Sequence, residues 1–291
     1  MIALGQWLIK YALLEPFGVN TSLNSMGIAL LILASICIAA AGNIINDIYD
    51  VETDFINKPD KLIIGKSISE KAAYNLFIVL NVLGVGLGYY VSHLVDRSGF
   101  FSVFVIISVL LYLYASYLKR TLLVGNIVIS ILVGISILIV GMFELIPAIN
   151  ELNLQTQMTF FKIVLDYAIF AFSINFLREI AKDLEDIDGD YKAGMNTLPI
   201  AIGRERATQV LFVLNLIPLI GIALYTINTL YRNQIAVGYF TLFIIGPLLY
   251  LSIKTFSAKT KKEYHHISNM LKLVMLFGML SLLLYKYILL R

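Results

Sequence analysis

Residues 24–54 read NSMGIALLILASICIAAAGNIINDIYDVETD, an apolar run that ends in four carboxylates, Asp47, Asp50, Glu52 and Asp54. The apolar part is long enough for a bilayer, because a helix crossing the hydrocarbon core needs about 20 mostly apolar residues. Only helices and closed barrels satisfy their backbone hydrogen bonds inside lipid. Barrel strands alternate apolar and polar over about ten residues, and this run does not. It reads as a membrane-spanning helix whose acids collect where oil meets water.

The same pattern recurs along the chain. Of its 291 residues 59% are hydrophobic and 14% charged, against roughly 25% charged in soluble domains, and the mean hydropathy is +0.85. Apolar windows fall at residues 2–17, 24–45, 72–94, 99–118, 122–146, 158–177, 207–228, 236–256 and 267–289. The expected fold is all-α, a polytopic bundle of about nine transmembrane helices around a central cavity. No linker or low-complexity tract divides it, so residues 1–291 read as one domain. Targeting would supply a single apolar segment and does not explain the repetition. A lone cysteine, Cys37, excludes an intrachain disulfide framework and a cysteine-based metal site.

Short cytoplasmic loops carry the excess of Lys and Arg. One set of connections and flanks holds Lys58, Lys61, Lys66, Lys71, Lys119, Arg120, Arg178, Lys182, Lys192, Arg204, Arg206, Lys254, Lys259, Lys261 and Lys262; the other holds Arg97, Arg232 and Lys162. The first set is expected to face the cytoplasm, with the polar loops 46–71 and 178–206 on that side and the chain ending outside near Lys286 and Arg291. The expected location is a bacterial inner membrane. This bias accounts for the basic loops without a nucleic-acid partner. His93, His265 and His266 read as interfacial polar residues.

Two constellations carry chemistry. In the first loop Asn46, Asp50 and Asp54 stand at i, i+4 and i+8, one column of oxygen ligands if the helix continues that far. Pro59 should end it by disfavouring an α conformation at Lys58. In the second, REIAKDLEDIDGD (178–190), Arg178, Lys182, Asp186 and Asp190 repeat every four residues, with Asp183, Glu185 and Asp188 around them. Oxygen-only carboxylate clusters suit magnesium, which keeps waters and shares its shell with substrate phosphates. Two clusters with cations between them suit a diphosphate held by bridging metal and charge-assisted bonds. Asp47, Glu52, Asp188 and Lys192 read as solvated faces or local ion pairs.

These residues resemble the UbiA superfamily of intramembrane aromatic and lipid prenyltransferases. Its Asn-Asp-x-x-Asp-x-x-x-Asp motif is matched by Asn46, Asp47, Asp50 and Asp54, and its Asp-x-x-x-Asp motif by Asp186 and Asp190. The resemblance extends to INKPDKLIIGKSIS after the first motif and GDYKAGMNTLPIAIGRERA after the second. REIAKDLEDIDGDYKAGMNTLPI looks like the branch typified by geranylgeranylglycerol-phosphate geranylgeranyltransferase.

The resemblance implies that Asn46, Asp50 and Asp54 bind one Mg2+ and Asp186 and Asp190 another, both touching a prenyl diphosphate. It makes Lys58, Lys119, Arg178 and Lys182 candidate diphosphate contacts. A family Tyr and Lys pair falls on LYASYLKRTLLVGN, which supplies Tyr114, Tyr117, Lys119 and Asn126, with the choice between the tyrosines open. Many relatives begin their first helix with an Arg and an Asn that line the cavity; here the chain begins at MIALGQWLIKYALLEPF, and Gln6 or Lys10 would stand in for them.

The implied reaction is magnesium-dependent transfer of an isoprenyl group from a polyprenyl diphosphate to a membrane-associated acceptor, geranylgeranylglyceryl phosphate first. Prenylation of an aromatic quinone precursor is the alternative. An ion or small-molecule transporter is the rival from another class, but its ionisable groups would sit near the bilayer midplane. The acid clusters here lie at the boundary.

Overall fold

Asn24 starts the helix that decides the fold: its side-chain oxygen accepts from the Gly27 amide at 2.8 Å and opens α2, Ser25–Tyr49. A backbone amide at a helix start has no partner within the helix, and an Asn cap supplies one. The computed structural model describes residues 1–289, the side chains of Lys61 and Leu289 excepted. Arg291 and the Lys61 side chain, both invoked for orientation, therefore lie outside the described residues.

Before α2, α1 (Ile2–Leu8) runs on through a π turn, Ile9–Leu14, and a 3-10 turn, Glu15–Phe17. After it come α3 (Val51–Asn57), α4 (Glu70–Leu94), α5 (Phe101–Ser116), α6 (Val124–Glu144), α7 (Leu154–Lys192) and α8 (Leu198–Ile202). The remainder is α9 (Arg204–Tyr225), α10 (Gln234–Phe240), α11 (Gly246–Ser257), α12 (Lys261–Leu280) and α13 (Tyr285–Leu289). No strand occurs among the described residues. Eight helical segments are long and apolar enough to cross a membrane: Ser25–Tyr49, Glu70–Leu94, Ser98–Ser116, Val124–Glu144, Leu154–Lys192, Arg204–Leu230, Gln234–Ser257 and Lys261–Ile288. The expected ninth, residues 2–17, is helical but shorter, and Leu8, Ile9, Leu13 and Leu14 in it are buried.

Lipid tails are as apolar as leucine, so these helices are held by close packing rather than by removal of oil from water. Two cores result. One joins the first segment to α2, α6 and α7 through Ile9, Leu31, Phe143 and Val164. The other joins α7 to α9, α11 and α12 through Leu177, Leu211, Leu248 and Leu271. Gly84 of α4 lets the backbone lie on α2, 3.2 Å from a would-be Cβ to the Ala34 carbonyl. Exposed Ile78, Val82, Ile217 and Ile253 face outward.

At one end of the bundle a buried ion pair closes the first core. Lys10 Nζ lies 3.1 Å from Glu144 Oε1 and donates to Thr21 Oγ1 at 2.8 Å and to the Leu23 carbonyl at 2.7 Å. The Leu23 amide donates to Glu144 Oε2 at 3.1 Å. Lys10 therefore does not stand in as a cavity residue: Ile2 lines the central cavity, and Lys10 lies about 12 Å further along the helix, at about 1.5 Å per residue.

Both acid motifs lie at the other end. Three i→i−4 bonds carry the backbone through the first: Asp50 N to Asn46 O at 2.9 Å, Asp54 N to Asp50 O at 2.7 Å, Lys58 N to Asp54 O at 2.8 Å. A bend at Asp50, with ψ near 0°, separates α2 from α3. Lys58 leaves the helix at φ −146°, ψ 56°, as the following Pro59 requires. The span expected at 158–177 is instead one 39-residue helix that carries the second motif to Lys192. Gly194, at φ +68°, then turns the chain.

Candidate active site

The two motifs face each other across the ends of α2–α3 and α7. Lys58 Nζ donates to Asp186 Oδ2 at 2.5 Å, binding a residue just after the first motif to a carboxylate of the second. Lys119, in the 3-10 turn Leu118–Arg120 between α5 and α6, donates to Asp50 Oδ1 and, at 3.3 Å, to Asn46 Oδ1. Asn46 Nδ2 donates to Asp50 Oδ2 at 2.5 Å. The charges of Asp186, Asp50, Lys58 and Lys119 all act on Asp190.

Burial and the neighbouring Asp50 charge raise the Asp54 carboxyl above the usual carboxylate range. Lys58 is raised: burial works against its charge, but the Asp186 carboxylate outweighs it. Lys119 is lowered, because burial outweighs its pairing with Asp50. The end of the bundle thus concentrates charge that is only partly compensated within the protein.

Among the described residues no three His, Cys, Asp or Glu side chains form a metal cage by themselves. The donor sets, Asn46 with Asp50 and Asp54 and Asp186 with Asp190, are small and all oxygen, which suits a cation that completes its shell with water and phosphate. Asp186 Oδ1 is buried with no hydrogen-bond partner, and the Asp54 and Asp190 side chains accept no hydrogen bond among the described residues. A buried, unmatched carboxylate oxygen is costly unless a cation meets it. The residues therefore fit magnesium.

Below the motifs lies a cavity of about 350 Å³, reached by Asn46, Tyr114, Arg178, Glu179 and Lys182 and walled below by Ile38, Phe104 and Leu132. Tyr114 lines it, whereas Tyr117 is 65% exposed. Arg178 and Lys182 both bind Glu179, at 3.1 and 2.9 Å. Buried Asn126 gives its Nδ2 to Asp183 Oδ2 at 2.7 Å. Gln6 is buried beside the cavity and donates to Ser35 Oγ and the Ser136 carbonyl, both from residues that line it. Exposed Asp188 lies 3.7 Å from Arg204. His265 is more than an interfacial residue: its Nδ1 lies 3.0 Å from buried Glu185.

Sequence reasoning passed over Glu179, left Asp183 as a neighbour of the second column, and gave Asn57 no role. The first two could have been found by using the helix's own period. Residues 179, 183, 186 and 190 advance by 3.7 on average and share a face, while a strict step of four drifts about 40° each time. The charges of Glu179, Asp183, Asp50 and Asp190 all reach Tyr114. Asn57 had no such signal.

The profile of the UbiA prenyltransferase family matches residues 16–276. A digeranylgeranylglyceryl phosphate synthase of Methanosphaera stadtmanae is 31% identical over 260 residues, covering 86% of each chain. One from Korarchaeum cryptofilum is 30% identical over 284 residues, covering 94% of this chain and 93% of its own. In fold the chain is similar to a UbiA homologue of Aeropyrum pernix, with TM-score 0.67, 12% identity and coverage of 96% and 97%. It is also similar to a UbiA homologue of Archaeoglobus fulgidus bound to DMAPP and Mg2+, with TM-score 0.55, 17% identity and coverage of 97% and 96%. With motif, fold and relatives in agreement, the chain belongs to the UbiA prenyltransferase family.

Proposed function

We propose that this prenyltransferase moves a geranylgeranyl group from its diphosphate to geranylgeranylglyceryl phosphate in a cell membrane, with the active site facing the cytoplasm. The observation that carries the reading is the meeting of two carboxylate motifs and two lysines over an apolar cavity. The relatives' names point to the acceptor, and the basic residues at the motif end point to the orientation. Those relatives are archaeal, which gives a bacterial host no support, so the proposal stops at a cell membrane.

In this reading Asn46, Asp50 and Asp54 hold one magnesium and Asp186 and Asp190 a second. Bound there, magnesium offsets the charge that grows on the leaving diphosphate. Lys58 and Lys119 turn from Asp186 and Asp50 to the diphosphate oxygens, and Arg178 and Lys182 hold the headgroup from the cavity side. The tail lies along the apolar wall. As the bond from C1 to the diphosphate oxygen breaks, the Tyr114 ring face meets the allylic cation, while the walls exclude water that would quench it. The acceptor hydroxyl oxygen bonds C1 and its proton leaves with the diphosphate.

The test is incubation of purified protein in lipid with geranylgeranyl diphosphate, magnesium and either geranylgeranylglyceryl phosphate or dihydroxynaphthoate, products being identified by mass. The expected product is the digeranylgeranyl ether. A product from the aromatic acceptor alone would overturn the acceptor and leave the chemistry.

A further inference from the structure

The geometry points to Asn57 as the positioning residue that sets the spacing between the two acid motifs. It is the last residue of α3, three beyond Asp54. Its Nδ2 donates to the Asp186 carbonyl at 3.0 Å, and its Oδ1 accepts from the Gly189 amide at 3.1 Å. One amide thus reads both a donor and an acceptor of the α7 backbone, between Asp186 and Asp190. The seat exists because residue 189 is glycine: a Cβ there would lie 2.5 Å from Asn57 Cγ. The Asn57 carbonyl in turn accepts from Lys261 Nζ at 2.8 Å, which ties in the start of α12.

Backbone contacts suit this task. A side-chain ion pair such as Lys58 with Asp186 must loosen if the lysine turns to a substrate, whereas an amide clamped on main chain keeps its bonds throughout. A metal-bridged diphosphate tolerates little change in the separation of its two ligand sets, since a misplacement of about 1 Å can cost on the order of a hundredfold in rate. The inference rests on the proposed function for its catalytic consequence, but the clamp itself does not.

Asn57→Ala, Gly189→Ala and the double variant test it in the full chain in lipid nanodiscs. Each single change should lower kcat by about tenfold or more, as loss of outer-shell support does at metal sites, and raise the magnesium needed for half-maximal rate, with the acceptor KM little changed. The double variant should be no worse than either single, because both break one contact. Amide exchange across 186–192 should quicken, and manganese binding in the presence of inorganic diphosphate, followed by spin resonance, should weaken. Effects that multiply in the double variant, or unchanged exchange and manganese binding, would overturn the clamp. If wild-type protein transfers no prenyl group, the proposed function fails, while exchange and manganese binding still decide the clamp.

Discussion

Both ends of the bundle bury charge, and they treat it in opposite ways. At one end Lys10 and Glu144, 2% and 0% exposed, are enclosed by each other, Thr21 and the Leu23 backbone. At the other, Asp54, Asp186 and Asp190 keep carboxylate oxygens that no protein donor meets among the described residues. A matched buried pair ties two elements together and does nothing more. Glu144 Oε1 has no hydrogen-bond partner either, but the Lys10 ammonium 3.1 Å away offsets its charge, so compensation of charge rather than burial separates scaffold from site.

The sharpest way to break this contrast is to remove a carboxylate from the open end. Asp190→Asn should lower prenyl transfer by about a thousandfold, the scale of losing a main source of leaving-group stabilisation, with the thermal unfolding midpoint held or raised. A large fall in unfolding midpoint would instead make Asp190 a structural residue. At the closed end Lys10→Met strands Glu144 and should cost about 3 kcal/mol or more, read as lost stability in detergent unfolding. Lys10→Met with Glu144→Leu should recover most of it, with activity retained.

Smaller effects refine the picture. Lys119→Ala should lower kcat/KM for the diphosphate by about tenfold to a hundredfold, the worth of a charge-assisted bond, and raise its KM. Smallest is Tyr117→Leu, which should change the rate by less than about twofold, because the side chain faces out, whereas Tyr114→Leu should slow kcat by about tenfold. Equal effects at the two tyrosines would place both on the substrate.

Most of the architecture could be read from hydropathy, because a bilayer imposes a length and an apolar count on each span. Hydropathy could not give the end of α7: it stops where the membrane stops, and the helix continues beyond Leu177 to Lys192. The motif residues and their helical columns were visible from spacing, and the structure brings Asp50, Asp54, Asp186 and Asp190 to one end of the bundle. What spacing could not supply was who pairs with whom across the chain. Lys10 looked like a cavity residue because its partner is more than a hundred positions away, and Asn57 gave no sign of its role because its partners are backbone atoms of α7.

The length of α7 has a consequence for how the protein is made. Thirty-nine residues at about 1.5 Å each extend about 58 Å, nearly twice a hydrocarbon core of about 30 Å. The translocation machinery meets an apolar window at 158–177 and then a charged tail that never has to enter oil. Six carboxylates between Glu179 and Asp190 would each resist burial at mid-membrane, yet none has to be inserted. The reactive end of the helix can therefore gain or lose acids over evolution without endangering the step that first anchors it in the bilayer.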